Sequence, residues 1–193
     1  MKPLALVDIL NLHEYELARP EFRKRVIESK QRRRIALGPL MTLVFENRDT
    51  VQFQIQEMLR VERIVRPDKV EDEIRVYNDL LPGPGEIAAT LFIEITDASQ
   101  VQPVLDGFVG LDEPGKLVLL AGGETFPARF APGQSREDRI SAVHYIRFEL
   151  GEEGRRALSS GDEAALYVHH GDYEARATLS RETMRELLHD LED

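Results

Sequence analysis

Apolar positions recur along this chain with two periods, about 3.6 and 2, and the places where one period gives way to the other mark the elements. Residues 4–18 read as a short helical segment, after which Pro20 restarts the chain at a first helical position. A second helix then runs to about Arg34, with Phe22, Val26 and Ile27 on one side. Leu40 to Phe45 reads as a buried strand. Between Thr50 and Val65 the two periods compete: Val51, Phe53 and Ile55 alternate with Gln52, Gln54 and Gln56 as in a strand, while Val51, Ile55, Met58 and Leu59 keep helical spacing. The alternation breaks at Glu57 and Asp49 or Thr50 offers an N-cap, which favours helix. From Asp68 to Leu81 the spacing of Val70, Ile74, Tyr77 and Leu81 predicts another helix, ended by Pro82-Gly83-Pro84-Gly85.

The second half is mostly of strand period. Strands are expected at Ala88 to Thr96, at Lys116 to Ala121 paired with Thr125 to Phe130 around Gly122-Gly123, and at Ile140 to Leu150. The last of these carries Ile140, Ala142, Ile146, Phe148 and Leu150 on one face and Ser141, Tyr145, Arg147 and Glu149 on the other, with His144 among the apolar set. Ala131 to Arg139 reads as a loop. Short helices are expected near Ser99 to Leu105 and at Glu152 to Ser159. Two strands, Ala164 to His169 and Tyr173 to Leu179, flank His170-Gly171-Asp172, and a final helix opens at Ser180. Without sustained βαβ alternation, the order predicts a single α+β domain over residues 1–193 with a largely antiparallel sheet, N-terminal helices and a C-terminal helix.

Composition narrows the function. The chain has 193 residues, no cysteine and a formal net charge of −10, so disulfides, thiolate metal sites and cysteine nucleophiles are excluded and a dedicated nucleic-acid binder is disfavoured. The charge is divided: residues 1–66 carry 13 Lys and Arg against 9 Asp and Glu, whereas residues 67–193 carry 12 against 26. The positive charge concentrates in Arg19, Arg23, Lys24, Arg25, Lys30, Arg32, Arg33 and Arg34, making residues 1–35 a basic helical segment packed on the domain or extending from it. Arg32, Arg33 and Arg34 are therefore candidates for binding an anion or an acidic partner. Their alternative is pairing with the acidic remainder of the chain. The longest uncharged stretch, Ile35 to Phe45, has 11 residues, too few to span a bilayer, and a cytoplasmic protein without a membrane is expected.

The motifs of common enzyme classes are missing: there is no G-x-S-x-G, no G-x-x-x-x-G-K-[ST], no G-x-G-x-x-G and no H-E-x-x-H. Adjacent strand residues such as His169 and His170 point to opposite faces, so no metal-ligand set is expected. His144 reads first as a core histidine satisfied by hydrogen bonds, and second as a buried imidazole lining a pocket. Gln54, Glu57 and Arg60, polar groups on the helix at 50–65, complete the candidate ligand pocket around it. The sequence does not specify a cofactor.

Several segments together carry a resemblance: "RPEFR" at 19–23, "RRR" at 32–34, "FENRDTVQFQIQEMLRVERI" from Phe45 to Ile64, "YNDLLPG" at 77–83, "ATLFIEI" from Ala89 to Ile95 and "SAVHYIRF" from Ser141 to Phe148. On these the chain resembles bacterial domain-of-unknown-function family 3501 over nearly its full length. The resemblance implies a link to redox or oxidative-stress metabolism, since genes of that family often lie beside those of rubrerythrin-like and iron–sulfur proteins, and it supplies no catalytic residues. The leading expectation is a binding or assembly protein whose basic segment docks on a second copy, forming a homo-oligomer, or on a companion redox protein. An enzyme or small-ligand protein with a pocket around His144, Glu57 and Arg60 is the alternative. Nucleic-acid binding through residues 19–34 comes third.

Overall fold

The computed structural model describes residues 1–136 and 139–192. Among them the chain forms six helices, α1 (Leu12–Arg33), α2 (Arg48–Glu62), α3 (Pro67–Asn78), α4 (Val101–Asp106), α5 (Gly151–Ser159) and α6 (Arg181–Glu192). The strands are β1 (Arg34–Leu37), β2 (Met41–Glu46), β3 (Glu86–Ile93), β4 (Leu117–Ala121), β5 (Glu124–Phe130), β6 (Ser135–Arg136), β7 (Arg139–Ile140), β8 (Val143–Glu149), β9 (Ala164–His170) and β10 (Tyr173–Thr178). Eight of these strands form one antiparallel sheet in the order β1-β2-β3-β8-β5-β4-β9-β10. β6 and β7 make a separate small hairpin. This is the α+β domain that the periodicity predicts.

The sheet rolls until its first and last strands meet, close to a barrel. Tyr173 on β10 makes the junction: its hydroxyl donates to the Leu37 carbonyl (2.6 Å) and accepts from the Leu40 N–H (3.2 Å). Gly38 makes room for it. This glycine has φ +74°, and a Cβ there would lie 2.6 Å from the Tyr173 hydroxyl. Alternation then sorts the side chains. Met41, Leu43 and Phe45 of β2, Ile87, Ala89, Leu91 and Ile93 of β3, and Ile146 and Phe148 of β8 point into one continuous core. Phe108 and Leu111, beyond α4, close the mouth where Tyr173 and His170 lie, with the Phe108 ring 5.1 Å from that of Tyr173. Leu158 of α5 and Met184 and Leu187 of α6 close the other.

The outer face of β2 and β3 needs a cover, and the N-terminal half supplies it. α1 packs on β2, α2 and α6, and α2 packs on α3 through Val51, Ile55, Leu59, Val70 and Ile74. α1 is one continuous helix across Pro20, so the restart expected there does not occur. Asn11 caps its start, accepting from the Glu14 N–H while Glu14 reaches back to the Asn11 N–H, and the burial of Tyr15, Phe22 and Val26 on one stripe outweighs the single hydrogen bond that Pro20 removes. Three further differences are local. The cap of α2 is Asn47, one position before the helix begins at Arg48. The four residues of β1, expected to lie at or beyond the end of the basic helix, pair with β2. The long strand expected from Ile140 starts at Val143, because Ile140 pairs in the β6–β7 hairpin and the Ala142 carbonyl accepts the Ile93 N–H. That hairpin occupies part of the expected loop at 131–139, of which residues 137 and 138 lie outside the described residues.

α1 is fastened to α6 by Arg33, which is 1% exposed. Its guanidinium reaches Asp190 through Nη1 (2.5 Å) and Nη2 (3.0 Å), and Glu186 through Nη2 (2.8 Å). Burial alone would lower its pKa, yet the two carboxylates hold it above its ordinary value. Removing one side of such a pair leaves a charge buried without a partner. Arg33→Met should therefore cost about 3–5 kcal/mol in urea unfolding, and Arg33→Met with Asp190→Leu should recover a large part of that loss. A single variant as stable as the parent would contradict this account of the α1–α6 joint.

Candidate functional site

Cross-strand register places one row of outward residues across four neighbouring strands. Glu46 on β2 stands opposite Ala88 on β3, Ala88 opposite Arg147 on β8, and Arg147 opposite Arg129 on β5. In the adjacent row Thr90 faces Tyr145. Over this surface lie Met58 of α2 and Glu73, Val76 and Tyr77 of α3, and between the two layers is a cleft of about 870 Å³. Ala88 contributes only a methyl group to the row, which leaves the floor open between Glu46 and the arginines. The segment after β5 forms the rim. It is held in place because the Gln134 side-chain oxygen accepts the Tyr145 N–H (2.8 Å) and the Ala131 N–H donates to the Tyr145 carbonyl (2.8 Å).

Charge in the cleft is arranged at two ends. At one, Glu46 is 4% exposed and accepts from the Thr90 hydroxyl on Oε1 (2.6 Å), and from the Thr50 hydroxyl (2.5 Å) and the Gln54 amide (3.0 Å) on Oε2. All three donors are neutral. At the other, Arg129 and Arg147 share the Glu86 carboxylate, with Arg147 Nη1 at 2.9 Å from Oε2 and Arg129 on Oε1. Arg147 also donates to the Asp79 carbonyl (2.6 Å), tying β8 to the end of α3. Burial opposes the charge on Glu86, but Arg147, the Gly83 N–H and Arg129 together hold its carboxyl below the usual range. A guanidinium carries five N–H donors, so both arginines keep donors for another anionic group. The tyrosines stand near one another: burial, then Tyr145 and Glu73, push the Tyr77 hydroxyl upward.

Of the pocket residues named from the sequence, Gln54 reaches this cleft, through Glu46. Glu57 and Arg60 face α1 instead. Glu57 receives the Arg19 guanidinium on both oxygens (2.7 and 2.9 Å) and the Tyr15 hydroxyl (2.7 Å), and Arg60 pairs with Glu16 (2.7 Å). Arg19 foremost holds the Glu57 carboxyl below its usual range. His144 lies on the inner face of β8, opposite Leu91 and 5.4 Å from the Phe130 ring, with the sheet between it and the helices. The structure therefore does not gather His144, Glu57 and Arg60 into one pocket. The reason is the alternation itself: His144 shares the parity of Ile146 and Phe148, while the cleft takes Tyr145 and Arg147. Arg32, Arg33 and Arg34 are each paired within the chain, to Glu186, to Glu186 and Asp190, and to Glu94. Among the described residues no group of three or more His, Asp and Glu converges as metal ligands, and no helix is long and apolar enough to cross a membrane.

Glu46, Arg129 and Arg147 were not singled out from the sequence. Two weak signals existed: a carboxylate ends the otherwise apolar run of β2, and Tyr145 and Arg147 lie on the polar face of the best strand. Their convergence depends on register, which single-strand patterns do not contain.

Comparison with known proteins gives the same architecture and no activity. The family model described as "Protein of unknown function (DUF3501)" matches residues 3–191. A crystal structure of a novel protein of unknown function from Burkholderia pseudomallei K96243 is similar to this chain at 30% identity, with a TM-score of 0.91, covering 98% of this chain and 100% of that one. No curated protein matches.

His144 still affects behaviour, through stability. Its Nε2–H donates to the Ser141 carbonyl (2.8 Å), which leaves Nδ1 buried without a hydrogen bond. Burial holds the imidazole below its ordinary 6.5, opposed by the Ser141 carbonyl and the charge of Asp112. The unfolded chain thus takes up a proton near pH 6.5 that the folded chain refuses, so stability is complete above about pH 6.5 and falls as the pH drops below it. His144→Phe should flatten that fall between about pH 6.5 and 5, by up to ~1.4 kcal/mol per pH unit in urea unfolding midpoints converted to free energy. Parallel pH profiles for parent and variant would contradict the assignment.

Proposed function

The chain belongs to the DUF3501 family, whose description assigns no activity, and on that premise we propose that the protein binds a small organic molecule in the cleft between the sheet and the α2–α3 pair. One observation carries this reading: a cavity of about 870 Å³, within the range of ligand pockets, whose walls combine apolar side chains with a few fixed charged groups. Met58, Val76 and Leu80 supply apolar surface, and Tyr77 and Tyr145 supply aromatic surface. Arg129 and Arg147 supply donors at one end. Their carriers are rigid strands, and Glu86 fixes both guanidiniums, so the donors are ordered before a ligand arrives.

A second reading keeps the basic helix as a docking surface for an acidic face of a second copy or of a companion redox protein. It is supported by Arg23 and Lys24, which are exposed on α1 and are paired with no acid among the described residues. It no longer draws on Arg32, Arg33 and Arg34, whose charges are neutralised by Glu186, Asp190 and Glu94. The cleft is the better supported of the two.

Titration with 8-anilinonaphthalene-1-sulfonate, an apolar anion whose emission rises on leaving water, tests the cleft. The folded protein should bind it saturably at one site per chain, and Arg147→Met should weaken it by about tenfold, the scale of one charge-assisted contact. Saturable binding that is unaffected by Arg147→Met, or no saturable binding to the folded protein, would overturn the reading.

A further inference from the structure

We propose that the ligand of this cleft is amphoteric, an ammonium group held by Glu46 and a carboxylate held by Arg147 and Arg129, joined by a short apolar chain; this rests on the cleft being a ligand site.

The argument starts from Glu46. A carboxylate removed from water needs a cation or a full set of hydrogen bonds. Thr50, Thr90 and Gln54 supply three hydrogen bonds but no charge, and the guanidiniums of the cleft are turned to Glu86 instead. Each carboxylate oxygen has two lone pairs, and Oε1 has received only Thr90. Oε1 therefore keeps an acceptor site, and Glu46 lines the cavity next to Ala88. A fixed carboxylate with an unused acceptor site and no cation bonded to it is complementary to an N–H cation from outside the chain. The walls agree with this, because tyrosine ring faces attract ammonium groups and Tyr77 and Tyr145 both line the cavity.

The other end offers donors for an anion. Glu86 pairs with both Arg129 and Arg147, Arg129 Nη1 also lies 3.4 Å from the exposed Glu149 carboxylate, and Arg147 Nε–H, on the partly buried guanidinium, is not engaged by any hydrogen bond among the described residues. The Cα atoms of Glu46 and Arg147 stand two strand spacings apart, about 10 Å. The methyl of Ala88 lies between them with Met58 and Val76 above, so the space joining the two charged ends is apolar. A molecule carrying both charges on a hydrocarbon spacer satisfies both ends at once. A simple fatty acid satisfies one end and leaves Glu46 buried against hydrocarbon.

The test uses four probes of matched length on the full chain: 6-aminohexanoate, hexanoate, hexylamine and 1-hexanol, each titrated by calorimetry. The parent should bind 6-aminohexanoate about tenfold or more tightly than hexanoate or hexanol. Glu46→Gln should erase that preference by weakening 6-aminohexanoate while hexanoate binds at least as tightly as to the parent, and Ala88→Leu, which fills the floor beside Glu46, should weaken all four. Equal affinity of the parent for 6-aminohexanoate and hexanoate would overturn the proposal. So would a preference that survives in a folded Glu46→Gln. If Glu46→Gln does not fold, the parent's preference decides the matter, and the weakening of all four probes by Ala88→Leu ties their binding to the cleft. Failure of all four probes beside retained binding of the naphthalene sulfonate defeats the amphoteric assignment alone, whereas failure of the sulfonate as well defeats the cleft.

Discussion

A sheet rolled until its first strand meets its last has one face sealed from water, and a side chain on that face must be apolar or uncharged. This constraint organises the rest of the molecule. It requires the apolar sets of β2, β3, β4 and β9 and, on β8, Ile146 and Phe148, it leaves His144 neutral in the core, and it closes through one phenol, that of Tyr173, bonded to the chain on either side of Gly38. It also throws the carboxylates and guanidiniums of these strands to the outside. There, β2 and β3 lie in the middle of one half of the sheet and carry Thr42, Val44, Glu46, Ala88 and Thr90, which are buried only because helices lie over them.

Those helices are placed by charge as well as by apolar packing. Arg33 fixes the end of α1 to α6, and the α1 register then presents Tyr15, Arg19 and Glu16 to Glu57 and Arg60 of α2. α2 in turn brings Thr50 and Gln54 onto Glu46. A buried ion pair is a poor source of net stability compared with an apolar replacement, but it specifies one arrangement over others. In this chain the joints specified are α1 on α6 and α1 on α2, and α2 carries Met58 into the wall of the cleft. The residues that looked most like chemistry from the sequence, Glu57, Arg60 and the arginine triplet, hold these joints. The polarity of the two halves of the chain, positive before residue 67 and negative after it, is partly consumed in the same way, since Glu186, Asp190 and Glu94 all come from the acidic part.

How much of this could be read in advance follows from the range of each signal. The strand parity of Ile146, Phe148 and His144, the Gly122-Gly123 turn, and the helical spacing of Val70, Ile74 and Tyr77 are local, and these features appear as the pattern has them, although the strand begins at Val143 and the helix ends at Asn78. Pro20 misled because its cost is local while the compensation, burial of Tyr15, Phe22 and Val26 against α2, is tertiary. β1 was missed because four residues show too little alternation to register. The site was legible only in fragments. Gln54 was named, and Tyr145 and Arg147 were assigned to the correct face, but Glu46 comes into one row with Arg147 through two strand pairings that are distant in sequence.

The central claim is that the chemistry of this protein is concentrated on one outward row, Glu46–Ala88–Arg147, roofed by α2 and α3. The most direct test is to locate a bound amphoteric molecule rather than to measure its affinity. In two-dimensional amide NMR spectra of the isotopically labelled protein, saturating 6-aminohexanoate should shift resonances of Glu46, Ala88, Tyr145, Arg147 and Tyr77 and leave those of Arg23 and Lys24 on α1 in place. Shifts confined to α1, or to the mouth of the barrel around His170, would contradict the account.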